Sequence, residues 1–203
     1  MATYSSELET VLRRYIDSWG GEGRDRLREG LKNTSVGNRY SLLMNVRGSG
    51  RISTRTGLHC GADADDLETI KYMLDSFSSN LKYNVVKIQR SDKWTALHIA
   101  ASIGHTSIIN YLLSDLSQPQ NYDLLKIQNV YGDTPIHVAA INKKVEVVQA
   151  IISSVSSHLL SQLLNIKNKK GQTVTDIRPE LHVEFPVLIT QGTILIYLTK
   201  LVL

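Results

Sequence analysis

The sequence is poor in cysteine, in proline and in clustered charge, and each shortage excludes a class of protein. Its 203 residues include one cysteine, Cys60, and four prolines. A single cysteine can form neither an intramolecular disulfide nor a cysteine-based zinc site, so we expect a reducing compartment, the cytoplasm, with the nucleus or a membrane surface as alternatives. Because 42% of the residues are apolar, the composition is that of a globular chain rather than a disordered one.

The positive charge is too sparse for a nucleic-acid-binding surface. The net charge is +4, and the whole excess lies in residues 1–55, which contain ten Lys and Arg against six Asp and Glu. Proteins that depend on phosphate contacts carry a dense basic stripe instead. We therefore expect no nucleic-acid partner.

Long apolar runs are scarce as well. No secretory signal is expected near the N-terminus, because Arg13, Arg14 and Asp17 interrupt the apolar core that such a signal needs. The most membrane-like stretch, Phe185 to Leu203, is broken by a proline, a glutamine and a lysine and is barely long enough to span a bilayer. A membrane partner is expected only if this stretch inserts.

A repeat of 39 residues organises the middle of the chain. Equivalent segments begin at Thr56, Thr95, Thr134 and Thr173, and the first three share the pattern Thr-x-Leu/Ile-His. Apolar pairs four residues apart follow in the second and third copies, and Ile70 with Met73 and Leu74 in the first, as on one face of an amphipathic helix. The register thus predicts two helices per unit. It also predicts a core that includes Leu97, Ile109, Leu112, Ile136, Val148 and Ile152.

The threonines are predicted to be helix N-caps, since a threonine hydroxyl can accept a hydrogen bond from a backbone N–H in the first turn. Pro135 stands at the first helical position of the third copy, where a missing N–H costs nothing. Three histidines follow the caps by three residues, at His59, His98 and His137. Because they belong to three different repeats, we expect them to bond to the caps rather than to share a metal ion.

These features resemble the ankyrin repeat, whose signature is a Thr-Pro-Leu-His-x-Ala segment that opens the first of two helices after a β-turn. The resemblance covers residues 46–177 and implies an all-α ankyrin-repeat solenoid, with three complete units and the start of a fourth. Ankyrin repeats usually run about 33 residues, so each unit here contains about six more. The extra residues fall in Ser78 to Asn84, Ser117 to Asp123 and Ser156 to Gln162, and we expect a longer helix end or an added turn there.

Both ends depart from the repeat. Residues 1–45 are predicted to form an N-terminal helical cap, with helices from Ser5 to Trp19 and from Arg24 to Leu31; the alternative is a separate basic docking element. In the fourth unit Arg178 and Pro179 replace the alanine pair, and a proline breaks a helix. Residues 178–203 are therefore predicted to be a non-repeat apolar tail. It either packs on repeat three, stays disordered, anchors the chain in a membrane, or marks an aberrant or truncated product.

No motif with catalytic chemistry stands out. The glycine-rich stretches near Gly20 and Gly48 lack the lysine and the spacing of phosphate-binding loops. The cluster from Cys60 to Glu68 begins like a calcium loop but lacks its glycine and its glutamate, and its acidic residues suit a helix start instead. We expect no enzyme activity, no cofactor, no metal ion and no small-molecule substrate.

The resemblance implies a continuous concave surface, built from the turn tips and the outer sides of the first helices, that binds another protein. Aromatic and large apolar residues on this surface favour binding; the alternative is that Trp94 and Tyr131 pack on neighbouring turns. We therefore expect a non-enzymatic adaptor or scaffold that recognises an unidentified protein partner, and the alternative is an ankyrin scaffold tethered to a membrane by the C-terminal stretch. The candidate partner-binding residues are Ser91, Asp92, Trp94, Ser102, Ile103, Val130, Tyr131, Asp133, Ile141 and Asn142.

Overall fold

In a computed structural model of the chain, the structure describes residues 6–18, 20, 23–48 and 54–179. These residues form helices and no strands, which confirms the all-α solenoid. The alternative of a membrane anchor from Phe185 to Leu203, and the predicted tail beyond residue 179, lie outside the described residues. The helices are α1 (Ser6–Asp17), α2 (Arg24–Lys32), α3 (Val36–Asn45), α4 (Gly57–Asp63), α5 (Leu67–Leu74), α6 (Ser79–Val86), α7 (Ala96–Ile103), α8 (Thr106–Leu113), α9 (Gln118–Leu125), α10 (Pro135–Ile141), α11 (Val145–Ser153), α12 (Ser157–Leu164) and α13 (Val174–Ile177).

Each complete unit contains three helices, so the prediction of two helices per unit is incomplete. The residues in excess of an ordinary ankyrin repeat form a separate third helix, α6, α9 or α12, rather than an extension of the second. Each third helix begins at a serine N-cap, at Ser78, Ser117 or Ser156. In α9 the Ser117 hydroxyl accepts from the Gln120 backbone N–H, while the Gln120 side chain accepts from the Ser117 backbone N–H, which closes a capping box.

The N-terminal cap has the same three-helix form as a repeat. Helices α1, α2 and α3 pack against α4, α5 and α6 of the first repeat, respectively. The sequence predicted α1 and α2 but missed α3, which also begins at a serine cap, Ser35. Ion pairs from Arg24 and Arg28 to the buried Asp66 tie the cap to the first repeat.

The third helices hold the next unit through buried donors. In α6 the Lys82 ammonium donates to the carbonyls of Tyr111, at 2.7 Å, and Ser114, at 2.8 Å, at the end of α8 in the following repeat. Burial lowers the pKa of Lys82. At the equivalent position α3 has Arg39 and α9 has Asn121, and both also donate to carbonyls at the end of the next unit's second helix. Helix α12 has Leu160 at this position.

The predicted core residues are confirmed as buried. Leu97, Ile109, Leu112 and Ile136 are fully inaccessible to solvent, and Val148 and Ile152 are buried as well. They belong to one continuous apolar cluster that extends from α1 to α13. Of the helices in the described residues, none has the length and the apolar character that would let it cross a membrane.

Candidate functional site

The candidate site begins with the turns that precede each first helix. A backbone hydrogen bond closes each of the three described turns, from Arg90 N–H to the Trp94 carbonyl at 2.8 Å and at the two equivalent positions at 2.9 Å. One residue in each turn has a left-handed backbone: Lys93, Gly132 or Gly171. At Gly132 an added Cβ would lie 2.6 Å from the backbone nitrogen of Lys169, so a close approach between turns requires glycine there.

Neighbouring turns are joined into a row. The Val130 N–H donates to the Asp92 carbonyl at 3.1 Å, and the Lys169 N–H donates to the Tyr131 carbonyl at 3.0 Å. The side-chain amide of Gln128 donates to the carbonyls of Gly132 within its own turn and of Lys167 in the next. Because backbone and side-chain bonds link one turn to the next, the tips hold fixed positions relative to each other.

Each of the first three threonine caps forms a capping box with the histidine three residues later. Thr56, Thr95 and Thr134 each place their hydroxyl 2.7–2.8 Å from the Nδ1 atom of the following histidine, and their backbone N–H groups donate to the same Nδ1. A nitrogen that accepts from a backbone N–H carries no proton of its own. The proton of each neutral ring is therefore on Nε2.

Two of these rings reach the following turn. The Nε2 atoms of His59 and His98 lie 3.1 Å from the carbonyl oxygens of Trp94 and Asp133, to which they donate. Burial lowers the pKa of His59 to about 3 and that of His98 to about 4. Burial also lowers the pKa of His137. The rings are thus neutral near pH 7 and support the turns.

The candidate residues of repeat two differ in exposure. Ser91 is exposed, and Asp92 is half-buried with its carboxylate paired to the Arg90 guanidinium at 2.6 Å. Trp94 is half-buried against the Arg90 guanidinium and the His98 ring, both of which belong to its own repeat rather than to a neighbouring turn. On the outer side of α7, Ser102 is half-buried and Ile103 is 38% exposed.

Repeat three exposes more apolar surface. Tyr131 at the turn tip is 63% exposed and Ile141 at the end of α10 is 49% exposed, while Asn142 is exposed and Val130 is half-buried.

The prediction that Asp133 faces outward is wrong, since the residue is only 8% exposed. Its carboxylate accepts a hydrogen bond from the Asn168 side chain at 2.9 Å, and its carbonyl accepts from His98. Asp133 therefore joins three successive units instead of facing a partner.

A shallow groove lies between the turn of repeat three and the turn of the fourth unit. Its volume is about 270 Å³, and the part of its lining that belongs to the fourth unit was not among the predicted binding residues. The 39-residue register could have found these residues, because Lys170 is equivalent to Tyr131 in the preceding turn. The groove is lined by Tyr131, Asp133, Ile141, Asn168, Lys170, Gln172, Asp176 and Ile177.

The acidic cluster near Cys60 has a structural role. Asp66 is the N-cap of α5 and accepts from the Thr69 backbone N–H at 3.1 Å. Although burial opposes ionisation, hydrogen bonds from Thr69 and Arg28 lower the pKa of Asp66. Burial raises the pKa of the Cys60 thiol to about 12. Within the described ranges, no group of three or more His, Cys, Asp and Glu side chains could hold a metal ion.

Comparison with known proteins identifies the fold family. A family model of ankyrin repeats in three copies matches residues 38–124 and 58–162, which together are more than half of the chain. The match begins inside α3 of the N-terminal cap. No curated protein was found to match. Ankyrin repeats are generally protein–protein interaction modules that present an extended concave surface. The repeat register, the capped helices and this match show that the chain belongs to the ankyrin-repeat family.

Proposed function

We propose that the chain is a non-catalytic adaptor or scaffold that binds a partner protein on the concave surface of repeats two and three. One observation carries the proposal. In the part of the chain that the structure describes, the exposed large apolar residues are Ile103, Tyr131 and Ile141. All three lie on turn tips or on the outer ends of first helices, and aromatic and apolar residues that cluster on a surface favour protein binding.

The rigid row of turns supports recognition without refolding. The turns are bonded to each other through Val130, Gln128 and Lys169, so the tips are in place before a partner arrives. Binding to a preorganised surface avoids the entropy cost of ordering loops. The side chains at the tips, and not the conserved geometry of the fold, then determine which protein binds.

The test compares the partners of wild-type protein with those of a Tyr131→Ala/Ile141→Ser variant by affinity purification and quantitative mass spectrometry. The matched control is Tyr122→Ala, which truncates a tyrosine on α9, where it stacks against Lys126. Thermal melting of all three proteins checks that each is folded at the assay temperature. Partners lost only in the double variant would support the proposal. A partner set that is unchanged in the double variant would refute it.

We also propose a cytoplasmic location for this adaptor. The chain has one cysteine, and its thiol is buried between the cap and the first repeat, which suits a reducing compartment. Fluorescence microscopy of the tagged chain, together with a marker for the secretory pathway, tests this location. Signal that coincides with the secretory marker would refute it.

A further inference from the structure

Lysines are in excess in repeat three and in the turn that follows it, and one of them, Lys170, lines the groove with Tyr131 and Ile141. Residues 134–179 contain five lysines and one arginine but only two acidic residues. Four of the lysines are exposed, and Lys144 is half-buried. Among the described residues, none of the five forms an ion pair with a carboxylate. The five are Lys143, Lys144, Lys167, Lys169 and Lys170.

Three carboxylates stand near these lysines in the sequence, and within the described residues none of them forms an ion pair with a lysine. Asp133 is buried and accepts from Asn168. Asp176 accepts from the backbone N–H of Thr173 at 2.9 Å and from its hydroxyl at 2.7 Å. Glu146 is exposed in the first turn of α11. A carboxylate that accepts from neutral donors keeps its charge, but these three carboxylates are outnumbered by the five lysines, so the net charge of this region is positive.

The sign of the charge in the loop between the first and second helices changes from repeat one to repeat three. In the loop between the first and second helices, repeat one has Asp65 and Asp66, whereas repeat three has Lys143 and Lys144 at the equivalent positions. Between them, the Nδ1 atom of His105 in repeat two lies 3.2 Å from a carboxylate oxygen of Asp65. At the first end Asp65 is exposed, whereas Asp66 is buried and paired with Arg24 and Arg28. At the other end Lys143 is exposed and Lys144 is half-buried, and the exposed apolar side chains lie toward this basic end.

We propose that this surface binds an acidic segment of a partner protein. The segment places an apolar side chain against Tyr131 and Ile141, and its carboxylates face Lys143, Lys169 and Lys170. The inference rests on the proposed function and adds the chemistry of the partner. Complementary charge of this kind accelerates association and excludes basic competitors.

The shape and the composition of the surface favour a protein segment over other anions. The groove of about 270 Å³ is smaller than a typical small-molecule site, which measures roughly 300–1,000 Å³, so it suits one side chain of a larger ligand. Apolar residues stand among the lysines, with Ile141 directly before Asn142 and Lys143. Nucleic-acid surfaces carry denser charge and arginine-rich contacts.

A selection from a random-sequence peptide display library tests the proposal on the full chain. The library is selected on wild-type protein, on Lys169→Glu/Lys170→Glu and on the control Lys87→Glu/Lys126→Glu. The control reverses two exposed lysines that end α6 and α9. An enriched peptide is then synthesised, and its Kd is measured by fluorescence polarisation, beside an analogue with Asn and Gln in place of Asp and Glu.

We expect the enriched peptides to contain an excess of Asp and Glu around an apolar residue. Their Kd should rise at least about tenfold on the Lys169→Glu/Lys170→Glu variant, and the amide analogue should lose affinity to a similar degree. On the control variant the Kd should stay within about twofold, because surface charges far from the ligand are screened by salt.

Four outcomes would overturn the inference. Peptides that need Tyr131 and Ile141 but carry no acidic excess would refute it and leave the proposed function standing. Peptides whose Kd is the same on wild-type protein and on the Tyr131→Ala/Ile141→Ser variant would count against both the inference and the proposed function. A selection that enriches no peptide would also refute the inference, while the partner comparison above still tests the function. Finally, a labelled single-stranded oligonucleotide or an anionic vesicle that binds more tightly than the acidic peptide would assign the lysines to a different ligand.

Discussion

The buried histidines predict that acid destabilises the array well before its carboxylates are protonated. His59 and His98 have pKa values of about 3 and about 4 in the folded protein, whereas an unfolded histidine has a pKa of about 6.5. Only the unfolded chain therefore takes up these protons between about pH 6.5 and pH 4. Stability from this source is complete above about pH 6.5 and is lost as the pH falls toward the folded values.

The magnitude follows from the same pKa values. Between about pH 7 and pH 5.5, each of the two histidines removes about 1.3 kcal/mol from the free energy of unfolding, and together they remove about 2.5 kcal/mol. The lowered pKa of His137 adds to the loss. Such a change is a large part of the stability of a single domain, which is about 5–15 kcal/mol.

Urea titrations at a series of pH values, monitored by circular dichroism, measure this loss of unfolding free energy. The matched variant is His98→Gln, which can keep a capping box with Thr95 but loses the bond from Nε2 to the Asp133 carbonyl and is therefore expected to be less stable than the wild type at pH 7. Its decisive property is the pH dependence, which should be smaller than that of the wild type by about 1.3 kcal/mol over the same interval. An identical pH dependence in both proteins would refute the reasoning, as would a wild type whose stability is constant from pH 7 to pH 5.5.

Three further predictions concern stability. Leu97→Ala should lower the free energy of unfolding by about 2–5 kcal/mol, because the side chain is fully buried; a melting shift of less than a few degrees would contradict its place in the core. Gly132→Ala should cost at least about 1 kcal/mol more than Gly171→Ala, since both glycines have positive φ but only Gly132 would place a Cβ against Lys169; equal urea midpoints would argue against the close approach. Lys82→Met should cost at least about 2 kcal/mol, because two carbonyls of the next repeat lose their donor, and an unchanged urea midpoint would count against that bond.

The repeat architecture could be predicted from the sequence because its determinants are local and recur at a fixed spacing. The threonine caps, the histidines three residues later and the apolar pairs all lie within one unit. The third helices were harder to predict, since α9 buries only three residues and one of them, Asn121, is polar. The serines at Ser78, Ser117 and Ser156 recur every 39 residues and were the signal that could have identified these helices as separate elements.

The burial of the candidate residues depends on contacts with neighbouring units, and these contacts cannot be predicted from the sequence of one repeat. Trp94 and Asp133 occupy equivalent positions before the caps, and in each case the main-chain carbonyl accepts from the histidine of the preceding unit. The Asp133 side chain is buried because Asn168 of the following turn covers it. Tyr131 is exposed because its side chain has no comparable partner in the next turn, where Lys170 is also exposed.

The buried donors of the third helices bear on how the array could be lengthened by duplication of a repeat. Arg39, Lys82 and Asn121 each bond to the unit that follows, and none of these bonds needs a partner from the unit before. A tandem copy of residues 87–125, one full period that ends with α9, would carry Asn121 as the donor to its successor and would receive Lys82 from its predecessor. Lengthening the solenoid by whole periods thus keeps each donor in register with the end of the next unit's second helix, and the new junction places Asn121 against the carbonyls of Tyr111 and Ser114, which Lys82 serves in this chain.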